Sequence, residues 1–233
     1  MALAHSPRLV TSSLVLCLDA GNTKSYSGSG STWRDLSGKG NNATMYGSVP
    51  FSTDVAPCFD FATATGASSA ASSLGFTFGS NMISTTSNFT FSCWIKNPNT
   101  SVGQVGLFSN AGGGDGYRFG VGTNAVYYLM GPTYTEGTVS FSSTLSASLW
   151  YNVVGVYSRS TLQFLLYLNG VYQNVASLPS TQTAFTNSTP GLVRSACCAI
   201  YTGKLASFMA YNKSLDANEI AQNYAALRGR FAV

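Results

Sequence analysis

The stretch Trp150–Tyr172, WYNVVGVYSRSTLQFLLYLNGVY, decides the fold. Trp150–Tyr157 and Leu162–Leu168 are apolar, β-branched and aromatic runs joined by the short polar turn Ser158–Thr161, which is a hairpin signature. Asn169-Gly170 then separates Leu168 from Val171, and an Asn-Gly pair between apolar segments is the strongest short hairpin signal. Outward from there the strand period of two persists. Phe89–Ile95 (FTFSCWI) sets Phe89, Phe91, Cys93 and Ile95 on one face against Thr90, Ser92 and Trp94 on the other. Gly106–Ser109, Tyr117–Val121, Val126–Met130 and Val139–Ser142 follow, parted by Gly, Asn or Pro turns, and Lys204–Tyr211 is a late strand. Leu14–Leu18 is a buried strand near the start. About a dozen strands with frequent turn signals predict an all-β sandwich.

Only the C-terminus reads as helix. Asp216 and Glu219 form a capping box, Ile220, Tyr224 and Leu227 share one face, and Gly229 is placed as the C-cap. Residues 19–48 read as a long ordered loop, residues 62–73 (ATATGASSAASS) as a small-residue insertion, and residues 1–12 as an N-terminal arm. No composition break splits residues 13–233, so they form one domain. The arm shows no role within that domain and is expected to contact another chain, the alternative being an edge strand on its own sandwich.

The composition excludes several function classes. The chain has 233 residues, only 9% of them charged, with 33 Ser and 23 Thr supplying polarity. Hydrophobic residues are 45% and mean hydropathy is +0.12, so the chain is not disordered. Net charge is +4 without any basic run, which argues against nucleic-acid binding. No apolar stretch is long enough to span a membrane. Thr11-Ser12-Ser13 interrupts the one run resembling a secretory signal. With five cysteines, an odd number and no CxxC, the thiols are read as reduced and mostly buried, which places synthesis in the cytoplasm. So low a surface charge also suggests a surface covered by partners.

Four segments, in this order, resemble a known family. Leu14–Gly47 looks like the opening module of laminin-G-like, concanavalin A-like jelly rolls, in particular those in structural proteins of tailed bacterial viruses. Phe89–Ile95 is similar to that family's central strand, Trp150–Tyr172 to its Trp-containing strand and Asn-Gly hairpin, and Gly203–Tyr224 to its closing strand and helix. The resemblance implies a two-sheet antiparallel jelly roll with one short C-terminal helix. Such domains often bind sugars or proteins and often lack catalysis, although glucanases share the fold.

The acid inventory weighs against an enzyme. A glycosidase needs two carboxylates flanking the scissile bond. The glucanases of this fold carry them as E-x-D-x-E on one strand, and the eight acids here form no such run. The close pair Asp216 and Glu219 is explained by capping, while Asp54 and Asp60 flank a Pro off any clear strand. The sole histidine, His5, lies in the arm, so no Ser-His or Cys-His couple exists. Cys197-Cys198 alone makes no zinc site, and Gly112–Gly116 lacks the Lys-Ser/Thr and helix of a phosphate loop. Calcium is the one metal to consider, through Asp19, Asn22 and Asp35, whose competing roles are a strand-end cap and an Asx-turn. For sugar recognition the candidates are Tyr127, Tyr128 and Tyr134 beside Asp115 and Arg118; one of Tyr127 and Tyr128 must face outwards in a strand.

The resulting expectation is a non-enzymatic virion structural protein, either a capsid decoration or a tail-associated jelly roll. Its partners are other virion proteins, further copies of itself and cell-surface glycans, with no nucleic acid and no membrane insertion. The alternative is a carbohydrate-binding adhesin module, and a glycoside hydrolase comes third.

Overall fold

A computed structural model describes residues 7–53, 56–61, 75–80, 82–84, 86–96, 106–109, 117–130, 135–178, 190–193 and 201–233, with backbone alone at 129–130 and 135–136. Strands are numbered in chain order. One eight-stranded sheet runs β14 (Val171–Ser177), β13 (Gln163–Leu168), β12 (Trp150–Ser158), β7 (Phe89–Lys96), β16 (Lys204–Tyr211), β5 (Cys58–Asp60) and β4 (Phe51–Ser52). Its eighth member, β1 (Leu14–Asp19), pairs with Ser207–Tyr211 of β16, while β5 pairs with Lys204 and Leu205. The second eight-stranded sheet runs β11 (Thr135–Ser140), β10 (Ala125–Met130), β9 (Tyr117–Val121), β8 (Phe108–Ser109), β15 (Gly191–Leu192), β6 (Gly75–Phe78), β3 (Ala43–Tyr46) and β2 (Thr32–Trp33). Every strand pairing is antiparallel. This is the expected two-sheet jelly-roll sandwich.

The alternation in β7 builds the core. Phe89, Phe91, Cys93 and Ile95 all face the second sheet and are buried. Phe91 packs edge-on to Phe108 at 5.0 Å and beside Phe119 at 5.7 Å. Such aromatic pairs add to what area burial alone contributes. The Asn-Gly hairpin forms with φ of +50° at Asn169 and +80° at Gly170, the pair of positive values a type I′ turn requires. The preceding strand starts at Gln163 rather than Leu162, because Leu162 takes φ +53° and ends the turn.

The outer face of the first sheet is covered by the C-terminal segment. Helix α1 (Ala217–Leu227) starts on the predicted capping box: the Glu219 amide donates to Asp216 and the Asp216 amide to Glu219. Trp94, on the opposite face of β7 from the core phenylalanines, stacks on Phe231 at 4.0 Å and on Tyr224 at 5.7 Å. Trp150 contacts the same Phe231 at 5.2 Å. Both tryptophans are thus structural.

Three expectations change. Gly229 is not a C-cap: the α-helix passes directly into a 3-10 turn, Arg228–Arg230, and Gly229 lies inside it. The loop 19–48 contains β2 and β3, which exist because they pair with each other and with β6. The described part of the arm is bound to its own domain. The Val10 amide donates to Oδ1 of buried Asn223 at 2.8 Å, the Val10 carbonyl accepts from the Tyr211 hydroxyl at 3.2 Å, and the Gln222 side chain donates to the Arg8 carbonyl at 2.6 Å. Residues 8–10 therefore lie along the helix and not as an edge strand. Residues 62–73, Cys197-Cys198, Gly112–Gly116, His5 and Asp54 lie outside the described residues.

Candidate functional site

The loop joining β1 to β2 is built around Tyr26. Its ring is buried between Phe51 and Phe59, each at 4.9 Å, and burial raises its hydroxyl above the ordinary tyrosine range. That hydroxyl donates to the Gly30 carbonyl at 3.0 Å, folding Ser27–Gly30 back over the ring. Gly28 and Gly30 hold φ of +92° and +88°, conformations that favour glycine. At the base of the loop the Ser25 hydroxyl donates to the Arg34 carbonyl at 2.6 Å and accepts from the Asp19 amide at 3.1 Å. Asn22 accepts from the Lys24 amide at 3.0 Å. The Met45 amide closes the far side on the Ser31 carbonyl at 2.7 Å.

This frame encloses a surface cleft of about 540 Å³ whose lining runs from Thr23 to Arg34. Two cations, Lys24 and Arg34, line it, with Thr23, Ser29, Ser31 and Thr32 as further lining residues. None of the described lining residues is acidic. The ion pairs among the described residues are Lys204–Asp60, Lys213–Glu219 and Arg230–Asp19, so Lys24 and Arg34 take part in none of them. The cleft can offer hydroxyl hydrogen bonds and positive charge on a loop that is already ordered. The sequence reads residues 19–48 as a long ordered loop but does not mark Lys24 or Arg34 as site residues, since the intervening Ser25–Ser31 (SYSGSGS) carries turn chemistry.

The residues proposed for calcium have other work. Asp19 accepts from both terminal nitrogens of the Arg230 guanidinium, at 2.6 and 2.7 Å, so Arg230 stands where a cation would sit at Asp19. Asp35 accepts from the amides of Cys17, Ser37 and Asn41 and from the Ser37 hydroxyl, at 2.7–3.0 Å. Asn22 caps the turn at Lys24. These are the strand-end and Asx-turn roles, and no metal-holding group of His, Cys, Asp and Glu occurs among the described residues.

Of the residues proposed for sugar, the described ones, Arg118, Tyr127 and Tyr128, are buried and form no open platform among themselves. Arg118 is 4% exposed. Tyr128 enters the core, stacked on Phe164 at 4.9 Å, and Tyr127 on the opposite face is equally buried at 5%. An outward position in the alternation is thus not a solvent-facing one. Asp115 and Tyr134 lie outside the described residues.

The described acids are likewise structural. Asp60 pairs with Lys204 at 3.3 Å, and Lys213 pairs with Glu219 of the capping box. With Asp19 on Arg230, Asp35 in its turn and Asp216 as the helix N-cap, five of the eight carboxylates hold the fold together.

No curated protein matches the chain. Among solved structures it is similar to the binding domain of botulinum neurotoxin serotype G (TM-score 0.66, 14% identity, covering 91% of this chain and 50% of that one). It is also similar to the binding domain of botulinum neurotoxin D/C in complex with SialylT (0.62, 15%, 94% and 52%) and that of paraclostridial mosquitocidal protein 1 (0.62, 15%, 91% and 52%). At these identities the likeness is one of fold, and the chain spans about half the length of each of those domains. A family model, Laminin_G_3, described as the concanavalin A-like lectin/glucanases superfamily, matches residues 66–221, well over half of the sequence. The two antiparallel sheets and this match agree, and the chain belongs to the laminin G-like family of the concanavalin A-like lectin/glucanases superfamily.

Proposed function

We propose that the protein is a non-enzymatic binding module that recognises carbohydrate, carried as a structural protein on a virion surface. The observation that carries the reading is the preorganised hydroxyl-rich cleft between Thr23 and Arg34, on a fold whose five described carboxylates are all engaged in caps, turns and ion pairs. A loop that is ordered before binding loses little conformational freedom when a ligand arrives. The structural neighbours are binding domains, which accords with this reading. The virion setting is supported by the resemblance of Leu14–Gly47 to modules of tailed-phage structural proteins and by the 9% charge content.

Two measurements test it. Purified protein applied to a glycan array should bind a defined subset of saccharides and release no reducing ends from β-glucan, alginate or peptidoglycan. Particles purified from the source should contain the chain in many copies by mass spectrometry. Hydrolysis lost on mutating an acid would overturn the non-enzymatic reading, and absence from particles would overturn the virion setting.

A further inference from the structure

We infer that the cleft between β1 and β2 selects saccharides bearing a negative charge, a carboxylate or a sulfate, through Lys24 and Arg34. The inference rests on the carbohydrate-binding reading above and specifies its ligand. Lys24 and Arg34 are exposed, line one cleft and take part in none of the ion pairs among the described residues. The two acids that the described residues place beside this loop are unavailable to them, Asp19 being held by Arg230 and Asp35 by its own turn. A cleft with two cations and no acid among its described lining residues carries a positive potential that a neutral sugar leaves uncompensated. A guanidinium presents paired donors that match a carboxylate or sulfate, and a lysine adds a compact point charge.

The hydroxyl lining supplies the other half of the recognition. Ser25 and Ser27 are occupied, by the Arg34 and Ser29 carbonyls. Thr23, Ser29, Ser31 and Thr32 extend around the cleft and can exchange hydrogen bonds with sugar hydroxyls, which donate and accept alike. A bare inorganic anion would use the cations and leave these hydroxyls idle. The site is exposed, so its affinity falls as salt screens the charges.

The test uses the full chain and four probes: heparin oligosaccharide, oligogalacturonate, neutral dextran oligosaccharide and inorganic sulfate, titrated calorimetrically at low and at physiological salt. The expected result is binding of heparin or oligogalacturonate that weakens with salt, with dextran and sulfate at least tenfold weaker. Lys24→Gln with Arg34→Gln should lose at least tenfold in affinity, a change of about 1.4 kcal/mol. Arg8→Gln with Arg228→Gln removes the same charge from exposed positions outside the cleft and should bind as the unaltered protein does. Equal loss in both double variants would reduce the effect to net charge and overturn the inference. So would sulfate binding as tightly as the acidic saccharides. Dextran binding equal to theirs, unaffected by Lys24→Gln and Arg34→Gln, would overturn the inference while the carbohydrate-binding reading stands. Failure of all three saccharides, with the thermal midpoint intact, would overturn both.

Discussion

Gly155 lies at the centre of β12, on the inner face between Val153 and Tyr157. A β-carbon there would meet Phe164 Cζ at 2.6 Å and Phe119 Cε2 at 2.8 Å, where ordinary contact begins at 3.4 Å. The rings must therefore withdraw by roughly 0.6–0.8 Å, and neither is free to do so in a close-packed interior. Phe164 is stacked on Tyr128 at 4.9 Å, and Phe119 is held beside Phe91 at 5.7 Å. Overpacking of this kind costs about 1–3 kcal/mol. Replacing glycine by alanine in a strand returns about 0.5–1 kcal/mol of backbone entropy. Taken at mid-range, the two effects leave Gly155→Ala less stable by about 1 kcal/mol. Gly229→Ala is the control, since a β-carbon there meets nothing within 4 Å and its φ is not positive. It should gain about 0.5–1 kcal/mol. For a chain of this size 1 kcal/mol moves the midpoint by about 2–4 °C, so the two variants should separate by roughly 3–8 °C in calorimetric melting. A Gly155→Ala midpoint at or above that of the unaltered protein would refute the packing argument.

Trp94→Ala should lower unfolding free energy by about 3–5 kcal/mol in guanidinium titration, since it removes the ring that Phe231 and Tyr224 stack on. Asn223→Ala leaves the Val10 amide and the Tyr211 hydroxyl without their buried partner and should cost about 1–3 kcal/mol, with faster amide exchange at Val10. Burial, aided by the charges of Asp19 and Asp35, pushes the Cys17 thiol up to about 12. Cys17 should thus resist alkylation at pH 8 in the folded protein and react once unfolded. Because its folded value lies above the unfolded one, its contribution to stability is complete below about pH 9. That contribution is lost as pH rises towards 12, and urea midpoints across that window should fall.

What was legible in the sequence is what a strand states locally. Phe89–Ile95, Trp150–Tyr157 and Lys204–Tyr211 announce themselves by a period of two, and Asn169-Gly170 by its turn chemistry, because each signal sits within a few residues. The two-residue strands Thr32–Trp33 and Phe51–Ser52 carry no such signal, since they exist only by pairing with Ala43–Thr44 and Cys58–Phe59. The site residues divide along the same line. Alternation correctly puts Tyr127 and Tyr128 on opposite faces, but it says nothing of what covers a face, and both are buried. The acidity of Asp19 is visible, whereas its neutralisation by Arg230, 211 positions away, is a tertiary fact. Lys24 and Arg34 show the reverse case. Each looks like an ordinary surface cation until Tyr26 reaches into the core, holds the Gly30 carbonyl, and so draws the segment between them around a single cleft. A binding loop made of serine and glycine is written in residues that also spell a turn. What distinguishes the two is the buried aromatic anchor, and an isolated tyrosine between two serines gives that role away only when the phenylalanines it meets, Phe51 and Phe59, are known to lie beneath it.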